Sequence, residues 1–299
     1  MQLTKTHIAL FIATLITTFL AGYLQGGTVV SGLSFSISLL FILGSHEMGH
    51  YYYGRKYGIL ITPPYFIPVP PPFIAGTMGA FIRIKSQITS KKALFDIGVA
   101  GPIAGIIAAV PVLIIGIKLS QIVPVQNIGE TDVIHLGDSL IFSFFVTMVH
   151  GTIDEGFDIY LHPAAFAGWI GLFVTVINLI PSGQLDGGHI IYSLFNKKIH
   201  SFISKISIVV IIILGMGTEP VVNLLSSYNI DLNLPEYLLF QGWLGWIIWA
   251  FLLVIMGTMH PPTIYEEEDI GKIRKIIAVI TLLIFIGSFM LIPFSLGKI

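Results

Sequence analysis

The chain has 299 residues, no cysteine and a formal net charge of −1. Disulfides, thiol catalysis and thiolate metal sites are therefore excluded, and no charge excess points to nucleic acid or to an acidic partner. Charged residues make up 10% of the chain and hydrophobic ones 55%, with a mean hydropathy of +0.89; soluble domains carry roughly 25% charged residues, so the composition predicts an integral, multi-pass membrane protein in contact with the lipid bilayer.

In chain order, the first apolar run covers about residues 7–24, after Lys5 and before a glycine-rich link. It lacks a small-residue cleavage pattern and reads as a retained span rather than a removed signal peptide. Residues 33–57, LSFSISLLFILGSHEMGHYYYGRKY, form the second span and end on Arg55 and Lys56. From 62 to 85 the chain is dense in proline, which forbids a regular helix, while residues 81–85 alternate apolar and basic as a strand does. A small membrane-associated β element is expected near residues 63–85, as a hairpin or re-entrant piece. A third span, about 93–119, follows Lys91 and Lys92 and carries Gly98, Gly101 and Gly105, whose spacing suits close helix packing in lipid. Residues 120–162 mix polar loops with one short apolar run, 140–149. The fourth span starts near 164, is interrupted by Pro181-Ser182-Gly183-Gln184-Leu185-Asp186-Gly187-Gly188-His189, and resumes to Lys197 and Lys198. Further spans are expected at about 201–216, 240–259 and 276–293. The predicted fold is thus all-α and polytopic, with six to seven transmembrane helices and three regions: 1–32 as first span and link, 33–198 as core, and 199–299 as C-terminal helices.

Positive charge orients these spans. With the N-terminus cytoplasmic, Lys5, Arg55, Lys56, Arg83, Lys85, Lys91, Lys92, Lys197, Lys198, Lys272, Arg274 and Lys275 all fall on the cytoplasmic side, while Lys118 and Lys298 fall outside. Spans two and four then run in the same direction. His50 lies five residues before Arg55 and Asp186 eleven before Lys197, so at ~1.5 Å per helical residue they sit roughly 8 and at most roughly 16 Å from the basic ends. The histidines and Asp186 are thereby able to share one depth, in the cytoplasmic half of the bilayer.

His46-Glu47-Met48-Gly49-His50 places two imidazoles at i and i+4 on one helix face, where a single Zn²⁺ can take both and Glu47 can act as general base. Ionisable groups within a span are costly unless paired or metal-bound. A catalytic zinc normally takes three protein ligands plus water. The longer metzincin pattern is excluded by Tyr53 and Lys56, and no Asp or Glu lies between Glu47 and Asp96. Asp96 stands in the first turn of a helix after Lys91 and Lys92, where the helix dipole or an ion pair accounts for it. Asp186, between glycines in a broken span, has no such ordinary explanation and is the expected third ligand. Asn178, eight residues earlier, is expected to turn its amide to the site and donate to a substrate carbonyl. The strand-like segment from Met78 offers an edge to which an unwound peptide can add, so Gly76, Met78 and Gly79 join Asn178 as candidate substrate-binding residues.

The HEMGH segment followed far downstream by Asn178-Leu179-Ile180-Pro181 and Leu185-Asp186-Gly187 resembles the site-2 protease family of intramembrane zinc metalloproteases. The resemblance extends to Gly98-Val99-Ala100-Gly101-Pro102 and covers roughly residues 35–195. It implies cleavage of a transmembrane protein or peptide substrate within or near its membrane segment, one Zn²⁺ per chain on His46, His50 and Asp186, and water activation by Glu47. No PDZ-like or nucleotide-sensing domain, such as many of these relatives carry, is expected within these residues. Two other classes remain open. A polytopic transporter also uses broken helices and intramembrane carboxylates, but should show related halves, and HEMGH has no counterpart downstream. A catalytically inactive membrane-binding relative should have lost Glu47 or a ligand, and none is lost.

Overall fold

The computed structural model describes residues 3–125, 134–228, 230, 235, 239–265 and 269–296. Lys298, used above, lies outside the described residues. Among the described residues ten helices and six strands follow in order: α1 (Lys5–Gly26), α2 (Val29–Lys56), β1 (Tyr65–Pro68), β2 (Thr77–Phe81), α3 (Lys91–Lys118), β3 (Gln121–Pro124), β4 (Ile134–Leu136), α4 (Leu140–His150), β5 (Phe157–Tyr160), α5 (Pro163–Leu179), α6 (Asp186–Leu194), α7 (Lys197–Met216), α8 (Glu219–Ser227), α9 (Leu244–Met256), α10 (Lys272–Ser288) and β6 (Phe294–Leu296). Four of them, α1, α2, α3 and α7, are long and apolar enough to cross a membrane. The broken fourth span is α5 and α6, and the last two expected spans are α9 and α10, of 13 and 17 residues. The run near 140–149 is α4, whose 11 residues extend only about 16 Å, short of a ~30 Å hydrocarbon core.

Side chains at Ser and Thr caps start the long helices: Thr28 accepts from the Ser31 amide and Ser90 from the Ala93 amide. The main core lies where α2, α3 and α5 meet, with Phe35, Leu39, Leu43, Leu113, Ala165, Trp169 and Leu172 buried together. Glycine permits these approaches. A Cβ on Gly49 would lie 2.4 Å from the Ala100 carbonyl oxygen, and one on Gly116 would lie 2.2 Å from the Ala165 nitrogen.

The proline-rich stretch does form a hairpin, β1 antiparallel to β2, with Tyr65 opposite Phe81 and Pro68 opposite Thr77. The strand sits earlier than its alternation predicts. Residues beyond Phe81 pair only through the Ile61–Ile84 bridge, with Thr62 N donating to Arg83 O and Lys85 N to Leu60 O. Pro63 and Pro64 interrupt the partner strand because neither carries an N–H. The hairpin runs along α1: Tyr65 stacks on His7 with centroids 4.0 Å apart, while Gln25 at the far end of that helix donates to Ile74 O at 2.8 Å. Two short sheets escape the sequence patterns, β3 with β5 and β4 with β6, because each joins segments distant in the chain.

One end of the bundle is tied by polar contacts. Arg274 at the start of α10 donates from Nε to Asp96 Oδ1 at 2.7 Å and from Nη2 to Oδ2 at 2.8 Å, and the Tyr57 hydroxyl, just after α2, donates to Asp96 as well. Asp96 is therefore satisfied by an ion pair, to a partner 178 residues away. Gln87 Nε2 donates to Pro262 O at this end, and Lys91 Nζ to Phe195 O.

Candidate metal centre

His46 and His50 lie on the inner face of α2, 4% and 5% exposed, and Glu47 between them is 7% exposed. Their Nε2 atoms are 3.1 Å apart. Asp186 opens α6, and its Oδ2 lies 3.2 Å from His46 Nε2 and 3.3 Å from His50 Nε2. Among the described residues this is the group of three or more metal-binding side chains that come together.

The segment between α5 and α6 delivers the carboxylate. Helix α5 ends where Ile180 turns to extended backbone before Pro181, and Gly183 takes a φ of +54° that favours glycine. The loop then folds onto the first turn of α6 so tightly that a Cβ on Gly187 would lie 2.1 Å from Leu179 O. Two side chains of α7 hold it: His200 Nε2 donates to Gly183 O at 3.0 Å, and Gly183 N donates to Ser204 Oγ at 3.3 Å. Asp186 itself stands in the first turn of α6, where the helix dipole favours a carboxylate.

Whether a zinc ion fits is decided by hydrogen-bond accounting. His50 Nδ1 lies 2.7 Å from Ile97 O; a carbonyl only accepts, so Nδ1 carries the proton and Nε2 keeps its lone pair. Asp186 Oδ2 is buried without a hydrogen-bond partner. Two acceptor atoms thus converge with His46 Nε2 on one point, an arrangement that is costly unless a cation sits there. The edges of 3.1, 3.2 and 3.3 Å match the roughly 3.3 Å between ligands of a tetrahedral site with bonds of about 2.0–2.1 Å. The nitrogen and oxygen donors suit zinc.

The third span contributes space. A Cβ on Gly101 would lie 2.1 Å from His50 Nε2, so only glycine leaves that nitrogen open, and one on Gly105 would lie 3.2 Å from His46 Nδ1. The sequence pattern marked these glycines as helix packing; the detail that Gly101 faces the metal-binding atom is visible only in three dimensions. Asn178 Nδ2 reaches to 3.4 Å from His46 Nε2, which puts its amide at the edge of the site even though the helix breaks before Asp186. The hairpin packs against α2 nearby, with Phe66 close to Gly44. Met78 is 66% exposed and Gly79 has open space beside it. Gly76 is buried against α1, where a Cβ would lie 2.4 Å from Thr17 O. His189 contacts His260, with Nδ1 and Nε2 2.7 Å apart. His260 is 3% exposed and part of the interior, not the loop residue its neighbours Pro261 and Pro262 suggest.

Two histidines one turn apart on a membrane helix, completed by an aspartate from a broken helix, define a class of membrane-embedded metallopeptidase site. The chain belongs to peptidase family M50, the site-2 protease family of zinc metallopeptidases, whose model matches residues 34–217. It is 31% identical over 168 residues to a probable zinc metalloprotease EGY2, chloroplastic, of Oryza sativa subsp. indica, covering 56% of this chain and 30% of that protein. To a probable zinc metalloprotease EGY1, chloroplastic, it is 27% identical over 275 residues in Oryza sativa subsp. japonica (89% of this chain, 41% of that protein) and 25% identical over 261 residues in Arabidopsis thaliana (86% and 42%). The chain spans less than half the length of these relatives. No solved structure matches it.

Proposed function

We propose that the protein is an intramembrane zinc metalloprotease that hydrolyses peptide bonds within or beside transmembrane segments of membrane-protein substrates. The observation that carries this reading is the buried triangle of His46, His50 and Asp186 with Glu47 beside the two histidines on α2, a helix long and apolar enough to cross a membrane, in an M50 chain. Residues 33–198 serve as the catalytic core in this reading, with six to seven spans in all, the N-terminus cytoplasmic and the site in the cytoplasmic half. Bound zinc would lower the pKa of a water towards ~7 and polarise the scissile carbonyl.

The chain's own groups do the rest. Glu47 takes the proton from the attacking water and returns it to the leaving amine, as a general base and then a general acid. Asn178 offers its amide N–H to the carbonyl oxygen as negative charge grows there. His50 is held in one tautomer by Ile97 O. A helical substrate hides its own amides and must unwind first, and the exposed face of β2 at Met78 and Gly79 is suited to pair with the resulting strand. Gly76 supports that edge from beneath by its packing on α1, so its part in binding is indirect.

The test is cleavage of a transmembrane peptide by the full chain in proteoliposomes, wild type beside Glu47→Gln. The variant should keep stoichiometric zinc and lose activity by at least ~10³-fold, while near wild-type cleavage would remove Glu47 from its role.

A further inference from the structure

The stretch matched by the M50 model, 34–217, ends before α9, yet the segment that joins α9 to α10 reaches back to the metal centre. It leaves α9 at Gly257, whose φ is +88° and whose carbonyl oxygen would lie 2.5 Å from a Cβ on Gly183. Further on it is fastened to the residues before α3: Gln87 Nε2 donates to Pro262 O at 3.1 Å, the Ile264 amide to Ile88 O and the Tyr265 amide to Thr89 O at 3.0 Å. Between these two attachments stands His260, buried, with the ring of Tyr192 from α6 centred 4.6 Å away.

Hydrogen-bond accounting gives the His260–His189 contact a direction. His260 Nδ1 lies 2.6 Å from Pro261 O; a carbonyl only accepts, so in the neutral ring Nδ1 carries the proton and Nε2 keeps its lone pair. That lone pair meets His189 Nδ1 at 2.7 Å, so His189 is the donor and is held in the same tautomer. One backbone carbonyl thereby orders two imidazoles in series.

His189 lies three residues after Asp186 in α6, which at about 100° and ~1.5 Å per residue leaves the two side chains roughly 60° apart around the axis and roughly 4.5 Å apart along it. Both pack on the same point of α3, since a Cβ on Gly98 would lie 2.9 Å from His189 Cβ and 3.3 Å from Asp186 O. The neighbouring Ile97 supplies the carbonyl that holds His50. Helix α6 has only nine residues and is entered through the loop at Gly183, so the chain leading into it does little to fix its rotation. A rotation of about 20° would carry a carboxylate roughly 6 Å from the axis by about 2 Å, several times the ~0.5 Å within which a preorganised site must be held.

We propose that His260, acting through His189, is a positioning residue for the metal ligand Asp186: the bond between the two imidazoles fixes the rotation of α6 and with it the place of the carboxylate. This rests on the metal reading above and adds to it a residue from the C-terminal third of the chain.

Cobalt(II) loaded in place of zinc tests it, because the visible absorption of Co²⁺ follows the geometry of its ligands. In the full chain, His260→Phe keeps the ring but offers no acceptor; it should change the Co²⁺ bands and speed zinc loss to a chelator by about 10-fold or more, as losing a group that supports a metal ligand does. His260→Gln, whose Oε1 can replace Nε2 as acceptor, should restore most of both. His189→Asn, whose amide can replace the Nδ1–H donor, should resemble it, and His189→Leu should resemble His260→Phe. Unchanged bands and zinc retention in His260→Phe overturn the proposal, as does equal damage in His260→Phe and His260→Gln, which would mark a packing role. Should His260→Phe fail to fold, nitrogen-15 spectra of the wild type decide: both rings are expected as Nδ1–H tautomers, and an Nε2–H tautomer at either position overturns the pairing. A wild type that takes up neither Co²⁺ nor zinc would contradict the metal reading itself, from which the positioning role follows.

Discussion

At the scale of single residues, the centre depends as much on atoms that are missing as on those present. Asp186→Ala removes one corner of the triangle and should lower zinc affinity by more than the ~10–100-fold typical of losing a supporting residue, whereas Asp96→Ala should leave zinc content unchanged, since Asp96 is engaged with Arg274. Metal titration of the two variants separates the roles, and the reverse ranking would reassign the ligand. Gly101→Ala places a methyl where His50 Nε2 must meet the metal; it should cost at least ~10-fold in zinc affinity, while Gly105→Ala, with its looser 3.2 Å contact to Nδ1, should cost less. A Gly101→Ala protein with wild-type affinity would show that the α2–α3 crossing relaxes.

Among elements, the ends of α2, α3 and α10 are fastened by Asp96, Tyr57 and Arg274. Arg274→Gln leaves a largely buried carboxylate without its cation and should lower stability by about 1–3 kcal/mol, with Asp96→Asn milder because the amide keeps a partner in Tyr57. Thermal unfolding in detergent measures both, and equal stability of Arg274→Gln and wild type would make the pair dispensable. This tie was illegible in the sequence because its partners are 178 residues apart and nothing in either segment names the other. The metal centre was legible for the opposite reason. His46, Glu47 and His50 follow helix periodicity within one apolar run, and Asp186 stands out because a carboxylate between glycines in a span demands an explanation. Burial of His260 and the contact of His200 with Gly183 arise from tertiary packing alone, so neither had a local signal.

For the whole molecule, hydrogen bonds from Tyr57 and Arg274 to Asp96 and from Lys91 to Phe195 O bring the end of α2, the starts of α3 and α10 and the link between α6 and α7 together, where Arg55, Lys56, Lys91, Lys92, Lys197, Lys198, Lys272, Arg274 and Lys275 are clustered along the chain. Single cysteines are readily introduced into a chain that has none. A cysteine at Lys85 or Lys92 should react with an impermeant thiol reagent from the cytoplasmic side, and one at Lys118 only from the opposite side. The reverse pattern would invert the topology and place the metal in the outer half. Met78→Cys, on the exposed strand face, should label more slowly when a peptide inhibitor is bound, if substrate adds to the β2 edge.

The claim on which the rest depends is that His46, His50 and Asp186 hold one zinc ion inside the membrane. Elemental analysis of the purified full chain beside His46→Ala tests it most directly. The account predicts one zinc per wild-type chain, retained through purification, and little or none in the variant. Wild-type protein lacking zinc after folding in its presence, or a His46→Ala protein with the same zinc content, would contradict it.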